Sequence, residues 1–341
     1  MDHNSDSDSV DRWARQPIPE KLWHYTSVQG FHGIVSSGSI YATDVRFLND
    51  AEEFVHARKV AEDLVKGAEE RGEYGFPLRW HLEWLVKNIF QSDFLNPSKA
   101  QIFVVSFTDS EDDLSQWRAY SHGSHGVSIS FDLRVFRPPT ESDSAVTFAP
   151  CVYCEKTKRE MIQGAFGHFM NVTEAWWAAA LNRFLMETDV FSRRPSLAEI
   201  EKFISMVFGT AEHKAQMRIG LNEALKRVIR LSGLLKHGAF HHEREWRLVL
   251  PISPGKDKTK LAHPIRFRPT SASLIPYIEF PLKVISTSTM LGIPPAVGLP
   301  INDVLLGPGA SEDEVASAAE FLRSNSVNVS PRKSAVPFRG A

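Results

Sequence analysis

Cysteine is almost missing from this chain: Cys151 and Cys154 are the only two in 341 residues. That is too few for a disulfide framework, so nothing ties the protein to an oxidising compartment, and a cytoplasmic location is expected. No stretch approaches the roughly 20 consecutive apolar residues of a spanning helix, and membrane insertion is not expected. An export signal is not expected either, because MDHNSDSDSVDRWARQPIP carries Asp, Ser and Pro where such a signal has a basic start and an apolar run. Excess charge is absent too. Against 39 Lys and Arg stand 41 Asp and Glu, a net charge of -2 that creates no global field for nucleic acid or anionic lipid. Only a local basic groove remains open. There is no GxGxxG or GK[ST] phosphate loop and no repeat with a period of about 20–50 residues, which argues against a dinucleotide-binding doubly wound sheet and against solenoids.

What is present suits a globular protein: 43% hydrophobic, 11% aromatic and 23% charged residues, with mean hydropathy -0.22. The length allows one large domain or two modest ones. Residues 1–19 and 325–341, the latter with Pro331, Arg332, Lys333, Pro337 and Arg339, have the composition of solvated tails, which leaves one expected domain over 20–324.

Periodicity then places the elements. LWHYTS, from Leu22 to Ser27, reads as a strand, and Phe31, Ile34 and Val35 mark a short helix ending at Gly38. SIYAT is a second strand. Asp50 with Glu53 three residues on predicts a capped helix bearing Phe54, Ala61, Leu64 and Val65, and Trp80 to Phe90 another. The continuous apolar run QIFVVSFT, Gln101 to Thr108, predicts a central strand buried on both faces. GVSISF alternates, predicting a half-buried strand with Ser128 and Ser130 outward. A helical insert spans about 171–238, its second stripe ending at Lys236-His237-Gly238 as cations and a glycine end a helix. Strands return at Glu245 to Leu250, Ile265 to Arg268, Leu274 to Phe280 and Ile301 to Leu306. A last helix is capped by Ser311 with Glu314. Strands interrupted by a helical block, without regular alternation, make the expected class α+β.

Four segments carry more than scaffold: LWHYTS, FLND, LSQWRAYSHGSHG and FHHEREWRLV. With His24-Tyr25-Thr26-Ser27, Phe47-Asn49-Asp50-Glu53, Ser106, Trp117-Tyr120, Gly126 to Phe131, Glu243-Glu245-Trp246-Arg247 and Val304 to Pro308 in order, the chain resembles the bacterial family domain of unknown function 2971. The succession His24, Tyr120, Glu245 is similar, more weakly, to the ADP-ribosyltransferase fold. That second resemblance implies a split mixed or antiparallel sheet and cleavage of the nicotinamide–ribose bond of NAD through an oxocarbenium-like state. On it, Glu245 stabilises charge or holds a ribose hydroxyl, His24 binds a cofactor ribose hydroxyl, and Tyr120 or Trp117 stacks on nicotinamide. The implied site is catalytic Glu245, Tyr120 and His24, with NAD bound by His24, Tyr25, Thr26, Ser27, Asn49, Ser106, Trp117 and Arg247. His24 and Glu245 would then line one crevice.

Each has a plainer explanation. Glu243, Glu245 and Arg247 share one strand face and suit a solvated row; Trp117 and Tyr120, a helical turn apart, suit core packing; His24 suits a structural histidine; Asn49, Asp50 and Glu53 suit helix capping. Cys151 and Cys154 have zinc-knuckle spacing without a second pair, so small apolar fillers are expected and no metal. GPGAS before the last helix suits a plain turn. The expected function is therefore an NAD-dependent ADP-ribosyltransferase or NAD glycohydrolase, with a toxin or phage-defence role by analogy. Its acceptor, protein or nucleic acid, is open, as is an inhibitory partner protein. The competing accounts are a noncatalytic nucleotide- or RNA-binding module and a metal-assisted hydrolase using the Cys and His clusters.

Overall fold

A computed structural model describes residues 12–13, 16–48, 53–71, 78–91, 101–120, 125–132, 146–187, 196, 198–199, 210–252, 264–270, 273–282 and 299–337. In chain order the elements are β1 (Trp23–Ser27), α1 (Val28–Ser37), β2 (Ser39–Asp44), α2 (Glu53–Arg71), α3 (Leu78–Gln91), β3 (Gln101–Thr108), α4 (Leu114–Tyr120), β4 (Gly126–Phe131), β5 (Thr147–Pro150), α5 (Glu155–Glu187), α6 (Ala211–Ser232), β6 (Glu245–Ile252), β7 (Ile265–Pro269), β8 (Leu274–Pro281), β9 (Ile301–Leu306), α7 (Glu312–Ser324) and β10 (Arg332–Lys333). The chain divides into two compact units rather than the single expected domain. One, helical, comprises Met1–Trp13, Glu52–Ala100 and Cys154–Leu235; the other, built on the sheet, comprises Ala14–Ala51, Gln101–Tyr153 and Lys236–Ala341.

The sheet unit holds ten strands in the path β10-β9-β4-β1-β3-β2-β8-β7, with β6 added to β3 and β5 to β6. Only β10 runs parallel to its neighbour, β9, so the sheet is mixed and the α+β expectation holds at that level. β3 is its hub. β6 pairs with all of β3, from Gln101↔Ile252 to Thr108↔Glu245, and so fills one edge. The other edge is divided: β1 meets it at Trp23↔Thr108, and β2 at Thr43↔Val104 and Asp44↔Phe103. Between them the edge along Val105, Ser106 and Phe107 is open, and the sheet forks.

One face of the sheet carries the main core, in which Phe107, Phe131, Phe148, Trp246 and Leu248 pack with Phe31, Ile34 and Val35 of α1 and Leu322 of α7. α1 starts where Ser27 accepts from the Gly30 amide and stops at Gly38, whose left-handed φ of 67° suits a residue without a Cβ. α7 has the expected capping box of Ser311 and Glu314. α2 begins at Glu53, and the proposed cap at Asp50 lies outside the described residues.

Two expectations are corrected here. Every residue of β4 is buried, Ser128 and Ser130 included, because β1 and β9 flank it and Trp23, Tyr25 and Leu305 cover the face expected to meet solvent. The segment 325–337 is also no solvated tail. Val327 is buried in the core, β10 pairs with β9, and Asp112 accepts from both Ser334 Oγ (2.6 Å) and the Ala335 amide (2.8 Å). Its basic and proline-rich composition masked one buried valine and a two-residue ladder.

In the helical unit, α5 begins at Glu155, well before the expected 171, and packs with α2, α3 and α6. Trp84 of α3 stacks on Phe169 of α5 at 6.1 Å, and Gly220 of α6 lies so near that a Cβ would sit 2.9 Å from the Phe169 ring. Lys158 is wholly buried, with Nζ 2.8 Å from His56 Nε2 and 2.6 Å from Glu155 Oε1.

Truncation after Asn325 removes Val327 and both contacts to Asp112. It is expected to lower the unfolding free energy by at least about 2 kcal/mol, from one buried valine and hydrogen bonds to a carboxylate. Urea denaturation checks this; an unchanged midpoint would mean the segment is a solvated tail.

Candidate functional site

On the face of the sheet away from the main core, β6 carries a buried row of charge. Glu245 and Arg247 are 3% and 2% exposed, so the solvated-row explanation fails. Arg247 Nε donates to Glu245 Oε1 at 2.6 Å and Nη2 to Oε2 at 3.0 Å. Lys236 Nζ donates to Glu245 Oε2 (2.6 Å) and to Glu243 Oε2 (2.7 Å), and Tyr120 Oη donates to the same Glu243 oxygen at 3.4 Å. The Glu245 amide is held by Tyr153 Oη at 2.9 Å.

Burial alone would push the Glu245 carboxyl up, but Arg247 and Lys236 overrule it and hold it well below the usual carboxylate range. Burial likewise opposes the Lys236 charge, and Glu245 overrules it, so Lys236 stays protonated far above its ordinary range. Tyr120 is pushed up, first by burial and then by the nearby Glu243 and Glu245 charges, and remains a phenol. Glu245 is thus a fixed anion between two fixed cations.

Lys236 was expected at a helix end. α6 instead stops at Ser232, and the Lys236 amide bonds the Val152 carbonyl (3.1 Å), which turns its side chain into the row. Glu243 closes a short 3-10 helix, Gly238–Glu243, and Arg244 follows in the left-handed region at φ 44°, which carries the chain into β6.

The fork holds His24. Its Nδ1 lies 2.9 Å from the Ser106 carbonyl on the open edge of β3, and its ring is tilted against Phe107 at 5.8 Å. A carbonyl only accepts, so Nδ1 carries the proton. Burial, with a smaller contribution from the Arg268 charge, lowers the His24 pKa, so the ring is neutral at pH 7 and Nε2 keeps its lone pair. That nitrogen makes no hydrogen bond to a described residue, and His24 is only half-buried. The Ser106 side chain, also half-buried, stands in register with Arg247. Arg268 Nη2 donates to Thr43 Oγ1 at 3.1 Å.

Of the residues expected at the site, Glu245, Arg247, Tyr120 and Ser106 share one face of the sheet. His24 does not share that face. It pairs with Ile129 and follows Trp23, whose partner is Thr108, so the pleat sends it opposite to Glu245. A crevice lined by both side chains is therefore not what the register makes; His24 reaches the gap between the strands instead.

Trp117 is wholly buried against Trp23 and Tyr25, with Nε1 on Asp112 at 2.7 Å, and offers no stacking face. Tyr25 donates to the Glu111 carbonyl (2.7 Å) and accepts from the Asp113 amide (3.0 Å), which anchors the loop into α4. Ser27 is the α1 cap, and Thr26 lies against Gly30, where a Cβ would meet its hydroxyl at 2.1 Å. Asn49 lies outside the described residues. Sequence reasoning missed Lys236, Thr43 and Arg268; only a row pairing β2, β8 and β7 could have brought the last two together. Cys151 is buried and Cys154 exposed, neither is in a disulfide, and no group of three metal-ligating side chains occurs among the described residues. No helix of the described residues is long and apolar enough to cross a membrane.

Residues 116–248, from α4 through the charged row of β6, match a family model described as protein of unknown function (DUF2971). Over that stretch, less than half of its length, the chain is similar to DUF2971. The DUF2971 segment includes Trp117, Tyr120, Lys236, Glu243, Glu245 and Arg247; the His24, Ser106 and Val304 to Pro308 motifs lie outside it. No curated protein and no solved structure matches the chain.

The pH dependence of stability follows from the charged row of β6. The folded Glu245 pKa is lowered, so its stabilisation is complete above the unfolded value of about 4.3 and fades as pH falls through the folded one. Glu245→Gln leaves Lys236 and Arg247 facing an amide and is expected to cost about 3–5 kcal/mol at pH 7 and to flatten the acid limb. Denaturant unfolding from pH 3 to 7 reads both; an identical slope in wild type and variant would remove Glu245 from the acid limb.

Proposed function

We propose that the sheet unit binds NAD at the fork and cleaves its nicotinamide–ribose bond, as an ADP-ribosyltransferase or an NAD glycohydrolase. The observation that carries this reading is the neutral His24 beside the open edge of β3, its Nδ1 proton committed to Ser106 and its Nε2 without a hydrogen-bond partner among the described residues. An acceptor fixed in that way suits a ribose hydroxyl, which donates. The forked, mostly antiparallel sheet supports an ADP-ribosyltransferase-like core.

In the chemistry proposed, the C1′–N bond breaks and nicotinamide leaves neutral with the bonding pair, which leaves positive charge on the ribose. Water or an acceptor hydroxyl then bonds to C1′ and gives up its proton. Fixed carboxylates favour the charge-separated state, and Glu243, less buried than Glu245 and hydrogen-bonded by Tyr120, is the carboxylate nearer solvent. A macromolecular acceptor and a toxin or defence role remain part of the proposal only by analogy of fold.

One observation favours a second reading, a nucleotide-binding module without turnover: Glu245 is balanced by Lys236 and Arg247 and has little charge left to offer a substrate. The two separate cleanly. Incubation of the purified protein with NAD is expected to release nicotinamide with time; saturable binding without release would select the binding module. For either, His24→Ala is expected to weaken NAD at least tenfold, about 1.4 kcal/mol, and to shrink the NAD-induced rise in Tm. A rise equal to that of wild type would take His24 out of the site.

A further inference from the structure

At β7 the apolar face of the sheet runs further than the elements that cover it. Side chains alternate along this strand, Ile265 and Phe267 on one face and Arg266 and Arg268 on the other. Ile265 stands in register with Ile278 of β8, and both pack in the main core. Phe267 continues the same face and is 60% exposed; Leu274, two residues before the Pro276 that stands opposite Phe267, is 63% exposed. A single exposed apolar side chain is ordinary, but two that adjoin at the rim of a core make a patch.

β7 also ends the path of the sheet, and among the described residues it pairs with β8 alone. Its outer edge offers N–H and C=O groups in position to extend the ladder. Pro264 and Pro269 bracket that edge and carry no N–H, which confines its donors to Ile265 through Arg268.

The arginine face decides which strand fits. Arg266 meets Glu279 at 3.1 Å, whereas the half-buried Arg268 donates to the neutral Thr43 hydroxyl at 3.1 Å and has no carboxylate partner among the described residues. A copy of β7 paired antiparallel about Phe267 would set Arg266 against Arg268 twice, so a second copy of this chain is disfavoured. A strand with acidic side chains on the arginine face and apolar ones on the other meets both requirements. Charge on an edge repels a like strand and admits an opposite one.

We infer that β7 is a docking edge for an extended acidic segment of a partner protein, which adds to the sheet with carboxylates against Arg266 and Arg268 and alternate apolar side chains against Phe267.

Fluorescence anisotropy of the full chain with three labelled seven-residue peptides tests this. One alternates valine and glutamate, one alternates valine and lysine, and the third is the glutamate peptide N-methylated throughout, which keeps its charge but cannot donate to a ladder. The glutamate peptide is expected to bind saturably and to slow amide hydrogen exchange in Ile265–Arg268, and the other two to bind at least tenfold more weakly. Arg268→Glu is expected to weaken the glutamate peptide at least tenfold and Phe267→Ser several-fold, while Ile219→Gln, which removes an exposed apolar side chain from α6, changes it less than twofold. Phe267 is exposed, so Phe267→Ser decides the matter if Arg268→Glu does not fold. No saturable binding, equal binding of either control peptide, exchange slowed elsewhere but not in β7, or affinity indifferent to every folded variant of Arg268 and Phe267 would overturn the docking edge. Sedimentation showing a dimer that Phe267→Ser dissociates would give the edge to a second copy and overturn it as well.

Discussion

A strand has two edges, and β3 serves three neighbours with them. β6 takes one edge whole, and β1 and β2 must share the other, meeting it at opposite ends. Sharing leaves peptide groups that no ladder satisfies, a cost that buried backbone rarely bears. The imidazole of His24 meets part of it by donating to the Ser106 carbonyl. The same bond sets the tautomer, so one structural need both meets the open edge and leaves Nε2 as an acceptor. Residues on three separate strands, His24, Thr43 and Ser106, are gathered around a gap that none of them would make alone.

The charged row on β6 is a second consequence of that hub. Because β3 and β5 flank β6, Glu245 and Arg247 are buried and need partners. Lys236 supplies one from a turn whose amide is tied to Val152. Burying such a network is worth little net stability, but breaking one member is expensive. Through Lys236 the network ties Glu245 of β6 to Glu243 and so to Tyr120.

Much of the scaffold was legible because local physics decided it. The β3 run, the Ser311 capping box and the Gly38 stop need only a few consecutive residues. What escaped needed the third dimension. The alternation in β4 suggested a wet face, yet β1 and β9 bury both sides of it. The composition of 325–337 suggested a tail, yet Val327 and Ser334 have partners far away in sequence. At the site, Glu245, Arg247 and Tyr120 fell together as their motifs suggested, whereas one register pair, Trp23↔Thr108, sends His24 to the other side of the pleat. Arg268 carried no signal, since an arginine in an exposed-looking hairpin strand is commonplace until the row across β8 and β2 is known.

The state of His24 is the point on which the account turns, and nitrogen-15 NMR of the labelled imidazole observes it directly. The account predicts a neutral ring protonated at Nδ1 at pH 7, titrating below the ordinary histidine value, with an Nε2 resonance that moves when ADP-ribose is added. An imidazolium at pH 7, the opposite tautomer, or an Nε2 signal indifferent to ADP-ribose would contradict it.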